Sequence, residues 1–109
     1  MVNGLQPGLA DQRRAEAPAV RVLLSSVLLA LFPGASRRVD LAISEHGMTV
    51  AAVIDALDAR WPGMADRIRD SRPAIRRHIN IYVGGRRAKL ETAVPPGAEV
   101  IVLTAISGG

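Results

Sequence analysis

The sequence contains no cysteine, which excludes disulfide bridges, thiolate metal sites and a cysteine nucleophile together, and is compatible with a reducing, cytoplasmic setting. Aromatic residues are nearly as scarce: Phe32, Trp61 and Tyr82 are the whole supply in 109 residues. Single-strand nucleic-acid binding relies on stacking aromatics, so no specific nucleic-acid site is expected here. The 14 basic residues are arginines except for Lys89, and against 10 acids they leave a formal charge of +4, enough only for weak attraction to polyanions. His46 and His78 are the only histidines, widely separated and without a carboxylate cluster; they read as an ordinary loop residue and a strand-edge residue, not as metal ligands. No Ser-His-Asp set, phosphate loop or repeat is present, so no active site is expected.

Long apolar runs are missing too. The longest, Val20 to Phe32, is too short to cross a bilayer and is broken by Ser25-Ser26, so no membrane partner is expected. Arg13-Arg14 before it and Pro33-Gly34-Ala35-Ser36 after it imitate a secretory signal. Against that reading, Val20, Val22 and Leu24 alternate with Arg21 and Leu23 as in a half-buried strand, so the segment is assigned to the fold.

What remains, 49% hydrophobic and 22% charged, is the composition of one small globular domain. Residues 1–19 mix Gly, Pro, Gln and charges without periodicity and read as a flexible extension. Residues 20–105 form the domain and residues 106–109 a flexible tail. Val20 to Ser25 and Arg38 to Ile43 read as strands. The apolar connection between them, Val27, Leu28, Leu29, Leu31 and Phe32, is expected as a turn of helix on the core edge in preference to a partner surface.

Thr49 is a good N-cap, and Val50, Val53, Ile54, Leu57 and Trp61 then fall on one helical stripe, closed by Pro62-Gly63. The opposite face, with Asp55, Asp58 and Arg60, reads as solvated; its two carboxylates are not taken as an acid/base pair. Met64 to Arg69 suggests a short second helix, broken at Arg72-Pro73. Ile79, Ile81 and Val83 alternate with Asn80 and Tyr82 as a strand, Gly84-Gly85 is a hairpin turn, and Arg87 to Leu90 a short return strand. After the Pro95-Pro96-Gly97 turn, Val100 to Ala105 is apolar on both faces, as expected of a strand in the middle of a sheet.

The sequence ends Ile106-Ser107-Gly108-Gly109. Glycine is about 7% of ordinary sequence, so a terminal pair arises by chance in about one chain in two hundred. Without Cβ atoms such a tail fits a channel too narrow for side chains and can bring a carboxylate to a nucleotide phosphate. A frayed, solvated terminus is the alternative.

Strand, strand, helix, strand, short strand, strand and Gly-Gly is an order similar to the ubiquitin-like β-grasp, an α+β fold with a mixed sheet of four to five strands packed on one main helix. More closely, the chain resembles the ThiS/MoaD family of sulfur carriers. The motifs that carry the likeness are Thr49-Val50 opening the helix, Trp61-Pro62-Gly63 closing it, His78-Ile79-Asn80-Ile81-Tyr82-Val83, Pro96-Gly97-Ala98-Glu99-Val100, and Ala105-Ile106-Ser107-Gly108-Gly109. Leu103-Thr104-Ala105 stands where molybdopterin-pathway members usually carry a proline. The Ile-Asn-Ile-Tyr-Val stretch is most similar to carriers serving cysteine synthesis.

The resemblance implies a non-catalytic carrier. A ubiquitin-activating-type enzyme adenylates the Gly109 carboxylate with ATP, a sulfur donor enzyme converts it to a thiocarboxylate, and a synthase accepts the sulfur in cofactor or cysteine biosynthesis. Gly108 and Gly109 are then the working residues, and no cofactor is stably bound. A protein modifier joined through Gly109 to lysines, or a β-grasp binding module with an inert tail, shares the same architecture. Parity suggests the handle: if Val20, Val22, Leu24, Val100 and Val102 face the helix, Leu23, Ile101 and Leu103 lie on the outer face beside Tyr82. These four with Ile106 are the expected partner-binding set, unless the long apolar connection covers them.

Overall fold

The computed structural model describes residues 18–105. Residues 1–17 of the expected extension and tail residues 106–109, Ile106, Gly108 and Gly109 among them, lie outside the described residues; Ala19, expected in the extension, instead opens the first strand, paired with Ala42. The elements are β1 (Ala19–Leu24), α1 (Ser26–Leu31), β2 (Arg38–Ala42), β3 (Met48–Thr49), α2 (Val50–Arg60), α3 (Met64–Ile68), β4 (Ile79–Val83), β5 (Arg86–Arg87), β6 (Ala93–Val94) and β7 (Glu99–Thr104). Five strands form one sheet in the order β2-β1-β7-β4-β5; β1 and β7 are parallel and the other pairs antiparallel. This is the mixed sheet of the β-grasp, with β7 at its centre as its two apolar faces require.

One face of the sheet is dry. Val20, Val22 and Leu24 of β1, Val39 and Leu41 of β2, Ile79 and Ile81 of β4, and Val100 and Val102 of β7 are all buried. They meet Val50, Val53, Ile54 and Leu57 of α2, which fall three and four residues apart on a single stripe. Trp61 is not the last residue of that stripe. It leaves helical geometry as the C-cap, half-buried against the core, with its N–H donated to Leu57 O at 2.9 Å. The connection after β1 is indeed a short helix: Ser25 caps α1, Leu28 is buried, and Val27 and Leu31 stay outside.

Helix starts leave N–H groups without partners, and α2 resolves this with help from elsewhere in the chain. Ala52 N donates to Thr49 Oγ1 (3.2 Å), while Val50 N and Ala51 N donate to the carbonyls of Thr92 (3.0 Å) and Leu90 (2.9 Å). The segment after β5 is drawn toward the helix for this purpose, which is why the expected return strand from Arg87 to Leu90 is not formed. Pairing with β4 is confined to Arg86–Arg87, extended by one bond from Ala88 N to Ile81 O; the chain then turns over Lys89–Thr92 and pairs β6 with β3. Gly47 sits beneath that ribbon, where an added Cβ would lie 2.7 Å from Val94 O. The β4–β5 turn takes positive φ at both Gly84 and Gly85, the two-residue hairpin geometry that only glycine and a few polar residues tolerate.

The polar face of α2 is not simply solvated. Asp58 Oδ1 accepts from Gly63 N (3.0 Å) and Ala65 N (2.9 Å) and so caps α3 in place of a side chain at the cap position itself. Asp55 pairs with Arg69. In the α3–β4 connection Asp70 accepts from Arg72 N and Ala74 N, both at 3.0 Å; the Arg72 guanidinium and these amides hold its carboxyl down to about 2.

Leu57 has no exposed surface, so Leu57→Ala should cost about 2–5 kcal/mol and lower the melting temperature by about 8 °C or more in a calorimetric scan. Asp58→Ala should cost about 1 kcal/mol, in the range of lost helix caps, and Asp58→Asn should recover most of it by urea titration.

Candidate functional site

On the opposite face of the sheet, register brings together residues distant in sequence. Leu23 lies against Ile101 across the parallel β1–β7 pair, and Ile101 against Tyr82 across β7–β4. The row continues outward to Arg38 on β2, opposite Leu23, and to Arg87 on β5, opposite Tyr82. Five strands thus present one line, Arg38, Leu23, Ile101, Tyr82 and Arg87, with apolar side chains at the centre and a cation at each end. Leu103, two residues along β7 on the same face, lies opposite Asn80.

The three central side chains are half-buried by one another, whereas Leu103 is 44% exposed. The apolar connection between β1 and β2 therefore does not cover it; folded as α1, that connection adds its own exposed side chains, Val27 at 41% and Leu31 at 44%. These three are the exposed large hydrophobics among the described residues. The arginines flanking the row were not singled out from sequence, though both belong to adjacent basic pairs, Arg37-Arg38 and Arg86-Arg87. Arg38 has only a loose ion pair with Asp40, 4.0 Å apart and largely solvated on both sides.

The end of β7 leads straight to the tail. Ala105, the last described residue, donates its N–H to His78 O at 2.7 Å. His78 is exposed just before β4, and His46 is exposed in the turn preceding β3. A broad groove between α2, α3 and the segments flanking β4 and β5 carries Arg69, Arg76, Arg77, Arg87 and Lys89, but also Asp58, Asp66, Asp70 and Glu91. Mixed signs of this kind give no continuous track for a phosphate backbone. Among the described residues, no helix is long and apolar enough to cross a membrane.

Comparison with known proteins places this geometry. Residues 30–109 match the model of the ThiS family. The chain is 36% identical over 74 residues to the sulfur carrier protein CysO of Mycobacterium tuberculosis, an alignment covering 62% of this chain and 80% of that protein. Its fold superposes on SAMP1 from Haloferax volcanii with a TM-score of 0.70 at 26% identity, covering 84% of this chain and 99% of that one. A chain of the Amycolatopsis orientalis BexX/CysO complex gives 0.67 at 26% identity, over 83% and 99%. The β-grasp sheet, the order of its strands and a family match that runs through the terminal diglycine together show that this chain belongs to the ThiS family.

Proposed function

We propose that the protein is a sulfur carrier and that its working group is the Gly109 carboxylate. The observation that carries this reading is the family match extending to residue 109, in a chain whose last strand occupies the centre of the sheet. The likeness to proteins named CysO supports it, one of them in a complex with a protein called BexX.

The chemistry asks little of the carrier. A carboxylate is a poor acyl donor until one oxygen becomes a good leaving group. Attack of the Gly109 carboxylate on the α-phosphorus of ATP, held by a ubiquitin-activating-type enzyme, releases pyrophosphate and leaves an acyl adenylate. A sulfur nucleophile from a donor enzyme then displaces AMP. The resulting thiocarboxylate is a nucleophile that delivers sulfur to an accepting synthase without free sulfide. With no cysteine in the chain, that sulfur comes from outside. The carrier itself is not the catalyst: it supplies a rigid body for binding and a narrow diglycine tip that reaches the partner's site.

The outer face is the handle in this reading. Leu23, Tyr82, Ile101 and Leu103 would enter an apolar surface of the activating enzyme, with Ile106 continuing the contact toward its channel. Arg38 and Arg87 at the ends of the row suit acidic residues on that enzyme. Cytoplasmic conditions suit both ATP and a thiocarboxylate.

A second reading, a protein modifier joined through Gly109 to lysines of other proteins, is favoured by the likeness to SAMP1, a small archaeal modifier protein. It shares the acyl adenylate and differs in the acceptor.

Intact mass of the protein from its own host should show a species with one oxygen replaced by sulfur, localised to Gly109; plain carboxylate alone, even after ATP, the adenylating enzyme and the sulfur donor are supplied, would refute the carrier reading. Isopeptide-linked adducts in the same cells would establish the modifier role. Leu103→Arg should raise the KM for carrier in ATP–pyrophosphate exchange about tenfold, equivalent to about 1.4 kcal/mol of binding, while leaving the melting temperature nearly unchanged because the side chain is already 44% exposed.

A further inference from the structure

The apolar core contains one polar side chain. Among the described residues Ser25 is the buried polar group, 9% exposed, and it makes two hydrogen bonds. Its Oγ accepts from Leu28 N at 3.2 Å, which caps α1, and it lies 2.8 Å from Thr104 Oγ1, 79 residues away in the chain. A hydroxyl offers one proton and two acceptor sites, so Ser25 can cap the helix and still share a proton with Thr104.

The position of this bond is informative. Main-chain pairing of β1 with β7 ends at Leu24–Val102, because the chain then turns into α1. On its other side β7 stays paired with β4 through Leu103–Asn80 and Thr104–Ile79, followed by Ala105 N to His78 O at 2.7 Å. The last residue of β7 is therefore held on the β4 side by backbone and on the β1 side by the Ser25 hydroxyl. An apolar pair of similar shape would fill this place at little cost in stability. What such a pair would not supply is a directional bond at the root of the tail.

We infer that the Ser25–Thr104 hydrogen bond is a positioning clamp that sets the direction in which the chain leaves the sheet toward Gly109. This rests on the carrier reading for its function. Four residues follow Ala105, the last of them Gly109, so the direction in which β7 ends at Thr104 sets where the tail begins. Misplacement of a reacting group by about 1 Å can cost about a hundredfold in rate. Ser25 and Thr104 touch no reacting atom in this scheme; their effect is on orientation and hence on turnover, not on docking of the outer face.

The test is ATP–pyrophosphate exchange with the adenylating enzyme over a range of carrier concentrations, paired with NMR amide exchange of Ala105 in the free protein. Thr104→Val should lower kcat about tenfold with KM within about twofold, Thr104→Ser should restore it, and Ala105 N–H should exchange faster in the valine variant but not in the serine variant. Ser25→Ala, which breaks the bond from the other side and removes the α1 cap, should lower kcat at least as far. Wild-type kcat in Thr104→Val, or a loss that Thr104→Ser does not recover, would overturn the clamp. If the wild-type carrier is not adenylated at all, the carrier reading fails; the Ala105 exchange rate then decides the clamp alone, and an unchanged rate in Thr104→Val overturns it.

Discussion

Parallel pairing of β1 with β7 puts the last strand of the domain at the centre of the sheet, between β1 and β4. A central strand has both edges hydrogen-bonded, and here one of its faces is pressed on α2 through Val100 and Val102. All that it leaves accessible is its other face and its end. The other face carries Ile101 and Leu103; the end leads to the diglycine. The outer apolar face and the root of the tail thus share one strand; in the proposed carrier role, a partner that grips the face acquires a defined geometry to that root. The parallel ladder stops at Leu24–Val102, where β1 ends and the chain turns into α1 before β2 returns antiparallel.

Behind that strand, side-chain hydrogen bonds hold the ends of several elements in place. Thr49 and Asp58 cap helices, Asp70 closes the connection before β4, and Ser25 both caps α1 and reaches Thr104. The loop carbonyls of Leu90 and Thr92 do the same for α2, tying the β5–β6 segment to the helix start. Each bond adds little stability singly, but together they leave no buried side-chain nitrogen or oxygen unpartnered among the described residues.

Much of this architecture was legible in the sequence because local periodicity encodes it. The stripe of α2, the alternation in β1 and β4, the apolar run of β7 and the glycine pair at the hairpin each carry a signal within a few residues, and each element stands within a residue or two of its expected place. The inward set of valines and leucines followed from parity alone, and the outer set came with it. The likeness to sulfur carriers was legible for the same reason: the motifs lie at the element boundaries where capping and turn chemistry restrict the choice of residue.

Other features had no local signature. The β3–β6 ribbon is two residues deep on each side, too short for a period, and exists because α2 needs acceptors for its first amides. Asp58 looked like any exposed helix carboxylate, and its role depends on how sharply Gly63 turns the chain back on α2. The arginines at the two ends of the apolar row lie on different strands, and only register aligns them. The Ser25–Thr104 bond joins residues 79 apart. Composition and periodicity determined which elements form, which faces are apolar and that the tail ends in glycine, since these are set within single turns and strands. Which of those residues stand side by side was decided by tertiary structure, because strand register and helix-end satisfaction are settled only when the whole sheet closes on α2.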